Sequence, residues 1–183
     1  MTSLPVIPQR CPGRGFARLW ALPLALLFAA PLSQAVTLLD YGATWKLWRG
    51  KKTPSRPDYW AWTKADHDDS DWETASTPVF FGENVNGGTE LEDMKSRYNS
   101  FFLRRKFDCP DTDTITSMTL RAKVDDGFVA YINGTEVARH NVETEKPKYS
   151  SSASKAASEP LRFRSYALKN FDEFLVDGEN TIA

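Results

Sequence analysis

Alternation with a period of two, rather than helical spacing, dominates this chain. Leu120, Ala122 and Val124 alternate with Arg121 and Lys123, the pattern of a half-buried strand. Asp125-Asp126-Gly127 interrupts it with turn-forming residues. Phe128, Ala130 and Ile132 then alternate with Val129 and Tyr131, so both faces of this strand are apolar and both should be covered. Asn133-Gly134 follows, a pair that suits a type I′ turn because both residues tolerate positive φ. Thr135, Glu136 and Val137 begin a return strand. The stretch from Leu120 to Ala138 therefore predicts two core strands of a β-sandwich and a tight hairpin.

Weaker versions of the pattern recur on both sides. Val36 to Gly50 predicts a strand with Trp45, Leu47 and Trp48, and Lys51 to Asp58, with Pro54 and Pro57, a loop. Thr77 to Gly82 is a short apolar segment before a polar loop, Glu83 to Arg97. Ser100 to Asp108 predicts a strand with Phe101, Leu103, Arg105 and Phe107 on one face; Arg105 breaks that face, which points to an edge or irregular strand. Glu143 to Pro160 is charged and Ser-rich, a mobile surface loop or insertion. Leu161 to Tyr166 alternates again, and Leu168, Phe171, Phe174 and Leu175 have the spacing of one or two core-facing helical turns. Thr181-Ile182-Ala183 reads as the start of a strand left open at the sheet edge, so the sequence is expected to be cut from something longer. The fold class is all-β, a sandwich of two antiparallel sheets with short helical turns and a C-terminally truncated last strand.

The first 35 residues change the picture of where the chain acts. Arg10, Arg14 and Arg18 precede the apolar run Leu19 to Ala30, and Ser33-Gln34-Ala35 has the form of a cleavage site. This predicts a signal peptide over residues 1–35, an exported domain over 36–183, and a secreted, periplasmic or cell-surface location with no membrane segment after cleavage. A retained anchor fits less well, because Pro23 and Pro31 interrupt a run already short for a bilayer. From Val36 onward there are 20 basic and 24 acidic residues and no basic run, which argues against nucleic acid as a partner. Cys109 then stands alone, which excludes an internal disulfide framework.

Candidate chemistry is sparse. Tyr59, Trp60 and Trp62 cluster in a loop, either as a stacking platform for a sugar ring or as rings that plug one end of the sandwich. Tyr98 and Tyr149 are further loop aromatics, so the candidate ligand-binding set is Trp60, Trp62, Tyr98 and Tyr149. Asp66, Asp68 and Asp69, with Asp71, supply oxygen ligands of the kind Ca²⁺ takes, without EF-hand spacing; a polar cap beside an anchored Trp72 explains the same residues. No H-E-x-x-H pair, nucleophile elbow or phosphate-binding Gly-rich loop is present. The chain is therefore expected not to be an enzyme.

Four segments taken together, HDDSDWETASTPVFFG (67–82), SFFLRRKFD (100–108), VDDGFVAYINGTEVARHN (124–141) and VDGENTIA (176–183), resemble the galactose-binding-domain-like jelly roll. That family serves as sugar-binding or accessory domains of secreted bacterial glycosidases and other large exported proteins. The resemblance implies a jelly-roll sandwich, carbohydrate as the default ligand, and packing against further domains of a longer chain. VDDGFVAYING is also similar to a hairpin of protective-antigen-type domains, some of which bind glycans through calcium. That second likeness implies Asp125 and Asp126 as metal ligands; a tight turn without metal is the other reading of the same residues. The functional expectation is a non-catalytic, carbohydrate-binding accessory module. The alternatives are a purely structural domain beside a catalytic neighbour and a calcium-dependent glycan-binding module.

Overall fold

The computed structural model describes residues 35–183; residues 1–34, which carry the expected signal segment, lie outside the described residues. Ten strands run from Thr44 to Ile182: β1 (Thr44–Arg49), β2 (Glu73–Ser76), β3 (Val79–Phe80), β4 (Thr89–Glu90), β5 (Phe101–Cys109), β6 (Met118–Ala122), β7 (Phe128–Ile132), β8 (Thr135–His140), β9 (Arg164–Leu168) and β10 (Gly178–Ile182). One six-stranded sheet has the order β2-β1-β5-β10-β7-β8 with every neighbouring pair antiparallel. β6 and β9 form a separate antiparallel pair, and β3 and β4 a two-residue parallel one. The chain is an all-β sandwich.

Strand alternation turns one face of the large sheet inward. Phe107, Cys109, Ile132 and Ile182 point to that face and pack against Leu168, Met118 and Leu120 of the small sheet, with Phe174 and Leu175 closing the end. Further along the same face, Leu47, Ala75, Phe101 and Leu103 are covered by Val79, Leu91, Met94 and Tyr98. The opposite face is covered as well: Trp48, Phe102, Val129 and Tyr131 pack against Trp60, Trp62 and Trp72. The large sheet thus lies between two layers, and burying apolar surface on both sides is its main stabilising term.

The central hairpin forms as its sequence predicts. Asn133 (φ 49°) and Gly134 (φ 90°) make the turn between β7 and β8, both with positive φ as type I′ requires. The Asn133 carboxamide also fixes the register of β10: its oxygen accepts from the Thr181 amide at 2.8 Å, and its nitrogen donates to Asn180 Oδ1 at 2.7 Å and to the Phe174 carbonyl at 2.8 Å.

Asp125-Asp126-Gly127, read as turn-forming, carries the chain from the small sheet to the large one, since β6 pairs with β9 and β7 with β8 and β10. Other expectations are corrected. β5 is an interior strand, not an edge, because it pairs with β1 on one side and β10 on the other. β10 is not left at the edge either: five residues pair with β5, and Ile182 and Ala183 meet Ile132 and Tyr131 of β7. The one or two helical turns expected near the C-terminus are one 3-10 turn, Phe171–Glu173, but Leu168 lies outside it, in β9.

Candidate functional site

The outer aromatic layer begins with register. Trp48 lies opposite Phe102 across the β1–β5 ladder, and Tyr131 comes up from β7 on the same face. The loop between β1 and β2 then folds over them. Ser55 organises it: its hydroxyl donates to the Asp58 carbonyl at 2.7 Å and accepts from the Trp62 amide at 3.3 Å. One 3-10 turn, Ala61–Thr63, follows, and the Thr63 hydroxyl donates to the Trp60 carbonyl at 2.8 Å. This turn sends Trp62 down and leaves Trp60 at the rim.

Trp62 is only 7% exposed. Its ring meets Phe102 at 4.8 Å and Tyr131 at 5.7 Å, both edge-to-face. Trp60 is half-buried and tilts against Tyr131 at 6.3 Å. Polar groups flank it: its amide donates to Asp58 Oδ1 at 2.8 Å, and Asp58 pairs with Lys64 Nζ at 2.9 Å. That pair lowers the Asp58 carboxyl and raises the Lys64 ammonium, each chiefly through the hydrogen bond to the other. Neighbouring Tyr59 is exposed, with the Arg56 guanidinium over its ring at 5.0 Å. The Tyr131 hydroxyl is pushed up to about 12, first by burial and then by Glu136.

Arg104 underpins the layer and escaped the sequence reading. Its side chain is completely buried. Nε donates to Asp69 at 2.8 Å, and the two terminal nitrogens donate to the carbonyls of Trp62, Lys64 and His67. A buried guanidinium requires such partners, because an unpaired charge in the interior is costly. The signal lay in Phe102, an aromatic two positions before it on the same face of β5.

The four candidate aromatic residues do not share one surface. Trp60 and Trp62 belong to the outer layer, whereas Tyr98 packs on the opposite face of the sheet, in the cluster around Leu47 and Leu91. The Tyr98 hydroxyl donates to Asp93 at 2.5 Å; Asp93 also pairs with Lys51 at 2.6 Å and with Arg49, which in turn holds Glu73 at 2.8 Å. Asp93 sits well below the usual carboxylate range, through its bonds to Lys51 first, then Tyr98 and Arg49. Tyr149 lies in the loop before β9, where its carbonyl accepts from the Ser100 hydroxyl.

The candidate metal ligands are engaged separately. Asp68 accepts from the Ser70 amide at 2.9 Å, Asp69 is committed to Arg104, and Asp66 is exposed. Asp126, at φ 59°, accepts from the Ala157 amide at 2.9 Å. The Asp125 carboxyl is raised by partial desolvation and then by Asp126 and Glu159. Among the described residues no group of three or more His, Cys, Asp or Glu side chains is placed to hold a metal ion. As arranged, these carboxylates do not fit an oxygen cage for Ca²⁺, which takes six to eight ligands. Asn133-Gly134-Thr135 has the form of a glycosylation acceptor, but its carboxamide is fully engaged within the fold.

No family model and no curated protein sequence matches the chain. It is similar to parts of several solved structures. One is Bacteroides uniformis β-glucuronidase 2 covalently bound to cyclophellitol-6-carboxylate aziridine, at 17% identity and a TM-score of 0.45, over 77% of this chain and 14% of that one. A β-glucuronidase from an uncultured Clostridium sp. has 16% identity and a TM-score of 0.45, over 81% and 23%. A β-glycosidase from Bacteroides vulgatus has 14% identity and a TM-score of 0.43, over 79% and 16%. The chain spans between 14% and 23% of the length of these solved chains. No residue role or activity passes from them to this chain.

Proposed function

We propose that this chain is a non-catalytic carbohydrate-binding accessory domain of an exported protein, with Trp60 as its sugar platform. One observation carries the reading: a half-buried indole is held at the rim of the outer aromatic layer, with the Asp58–Lys64 pair beside it. A ring face offers apolar contact to the C–H face of a pyranose, and flanking charged groups take its hydroxyls. Trp62, by contrast, supports the platform from below. The test is a glycan-array screen of the full chain beside its Trp60→Ala variant, with calcium and again with EDTA. Binding that disappears in the variant and ignores EDTA supports the reading. Binding that survives Trp60→Ala removes that residue from the site, and binding abolished by EDTA returns the search to the aspartates.

A second reading, a structural domain packed against a neighbour, is favoured by a different surface. Tyr41 (65% exposed) and Phe163 (47% exposed) meet edge-to-face at 5.7 Å, with the Arg121 guanidinium over the Phe163 ring. A well-folded chain that binds no glycan on the array would favour this alternative.

A further inference from the structure

Met118, Leu120 and Leu168 turn one face of the β6–β9 pair into the core. The register puts Thr119, Arg121, Ser165 and Ala167 on the other face, as the partners Thr119↔Ala167 and Arg121↔Ser165, and all four are exposed. Phe163 extends this face one residue before β9: the Arg121 guanidinium lies over its ring at 5.5 Å, and Tyr41 meets it edge-to-face at 5.7 Å. Lys123 and Lys169, one residue past β6 and β9, have the parity of Arg121 and Ala167 and are exposed. They stand at opposite ends of the pair, because the strands are antiparallel.

The charge here is unmatched. Residues 117–124 and 161–170 hold five basic side chains, Arg121, Lys123, Arg162, Arg164 and Lys169, and no acidic one, in a domain whose 24 acidic residues outnumber its 20 basic ones. All five are exposed, and among the described residues none lies within ion-pair distance of a carboxylate. By contrast, Lys51, Lys64, Lys106 and Arg139 all have carboxylate partners. Of the flanking acids, Glu159 accepts from the Leu161 amide at 3.0 Å, and Asp125 lies near Asp126 and Glu159.

Shape selects the partner. From Phe163 to Lys169 the face runs about 20 Å and is two strands wide. Its middle, Thr119, Ser165 and Ala167, carries no large apolar side chain of the kind that anchors a protein interface. A single-stranded nucleic acid stacks on rings along its track, whereas Phe163 and Tyr41 stand together at one end. An extended polymer with repeated carboxylate or sulfate groups needs what this face offers: spaced cations, hydroxyls and a ring pair.

We infer that the outward face of β6 and β9 binds an anionic polysaccharide, with Arg121 at its centre. The inference does not rest on the Trp60 platform, which lies on the far side of the large sheet. It is tested by titrating the full ¹⁵N-labelled chain with dextran sulfate, polygalacturonate, neutral dextran, poly-L-glutamate and single-stranded DNA at constant ionic strength. The amides of Thr119, Arg121, Ser165 and Ala167 are the reporters. Either acidic polysaccharide should give saturable shifts there, and dextran none. Affinity should fall about tenfold in Arg121→Gln and be largely retained in Arg121→Lys. No saturable shift with either acidic polysaccharide, shifts confined to other residues, or unchanged affinity in Arg121→Gln overturns the site, as does an equal response to dextran. Poly-L-glutamate or DNA bound as tightly overturns the saccharide as occupant and assigns the face to an acidic protein or a nucleic acid. If Arg121→Gln loses spectral dispersion, a double variant, Lys123→Gln with Lys169→Gln, decides in its place, with the same tenfold loss expected.

Discussion

Arg104 shows how one side chain ties two layers together. Its guanidinium holds Asp69 and three carbonyls of the loop that carries Trp60 and Trp62. Arg104→Met should cost about 3–5 kcal/mol, because it strands a carboxylate and several carbonyls beneath the aromatic layer. Urea denaturation measures this directly; a loss below about 1 kcal/mol would show that the loop stands without it. The two tryptophans should separate in the same assay. Trp62→Ala should cost about 3–5 kcal/mol for a buried indole, whereas Trp60→Ala should lose much less stability and all of the glycan affinity. His67 adds a pH signature. Burial first, then Arg104, lowers its pKa, and its Nε2 is buried without a partner among the described residues. A lowered folded-state pKa gives stability that is complete above the ordinary histidine value of about 6.5 and is lost as pH falls below it. Stability should therefore decline from pH 7 to 5, and decline less in His67→Gln.

Among the elements, local chemistry was most legible where it was strongest. Asn133-Gly134 specified its turn, and the doubly apolar Phe128 to Ile132 specified a strand covered on both faces, as the burial of Ala130, Tyr131 and Ile132 shows. Asn133 does more than turn the chain, since its carboxamide holds the Thr181 amide and Asn180. Asn133→Ala should cost about 2–3 kcal/mol through those unpaired groups, and amide exchange should rise at Thr181 before it rises in β1. Partners of a strand are harder to read than its existence. Nothing in Leu120 to Val124 says that it pairs with residues beyond a long loop rather than with the strand that follows. Arg105 was read as an interruption of the apolar face, but its partner, the Thr44 carbonyl at 2.7 Å, belongs to another strand and is not visible in the pattern of β5 alone.

For the whole molecule, alternation and turn chemistry were enough to give an all-β sandwich. They did not give the third layer. The segment from Lys51 to Trp72 has no period, so its role as a cover on the outer face emerges only when Trp48, Phe102 and Tyr131 arrive there from separate strands. The same limit applied to the site. Trp60 and Trp62 were visible as candidates, but which of them keeps a face toward solvent depends on the Ser55 bonds and one 3-10 turn. Tyr98 looked equivalent in sequence and lies on the opposite side of the sheet. The measurement that tests this account most directly is a ¹H–¹⁵N titration of the indole N–H signals with a glycan that binds on the array. The Trp60 signal should shift and saturate while that of Trp62 stays in place. A shift confined to other residues, with Trp60 unmoved, would contradict the account.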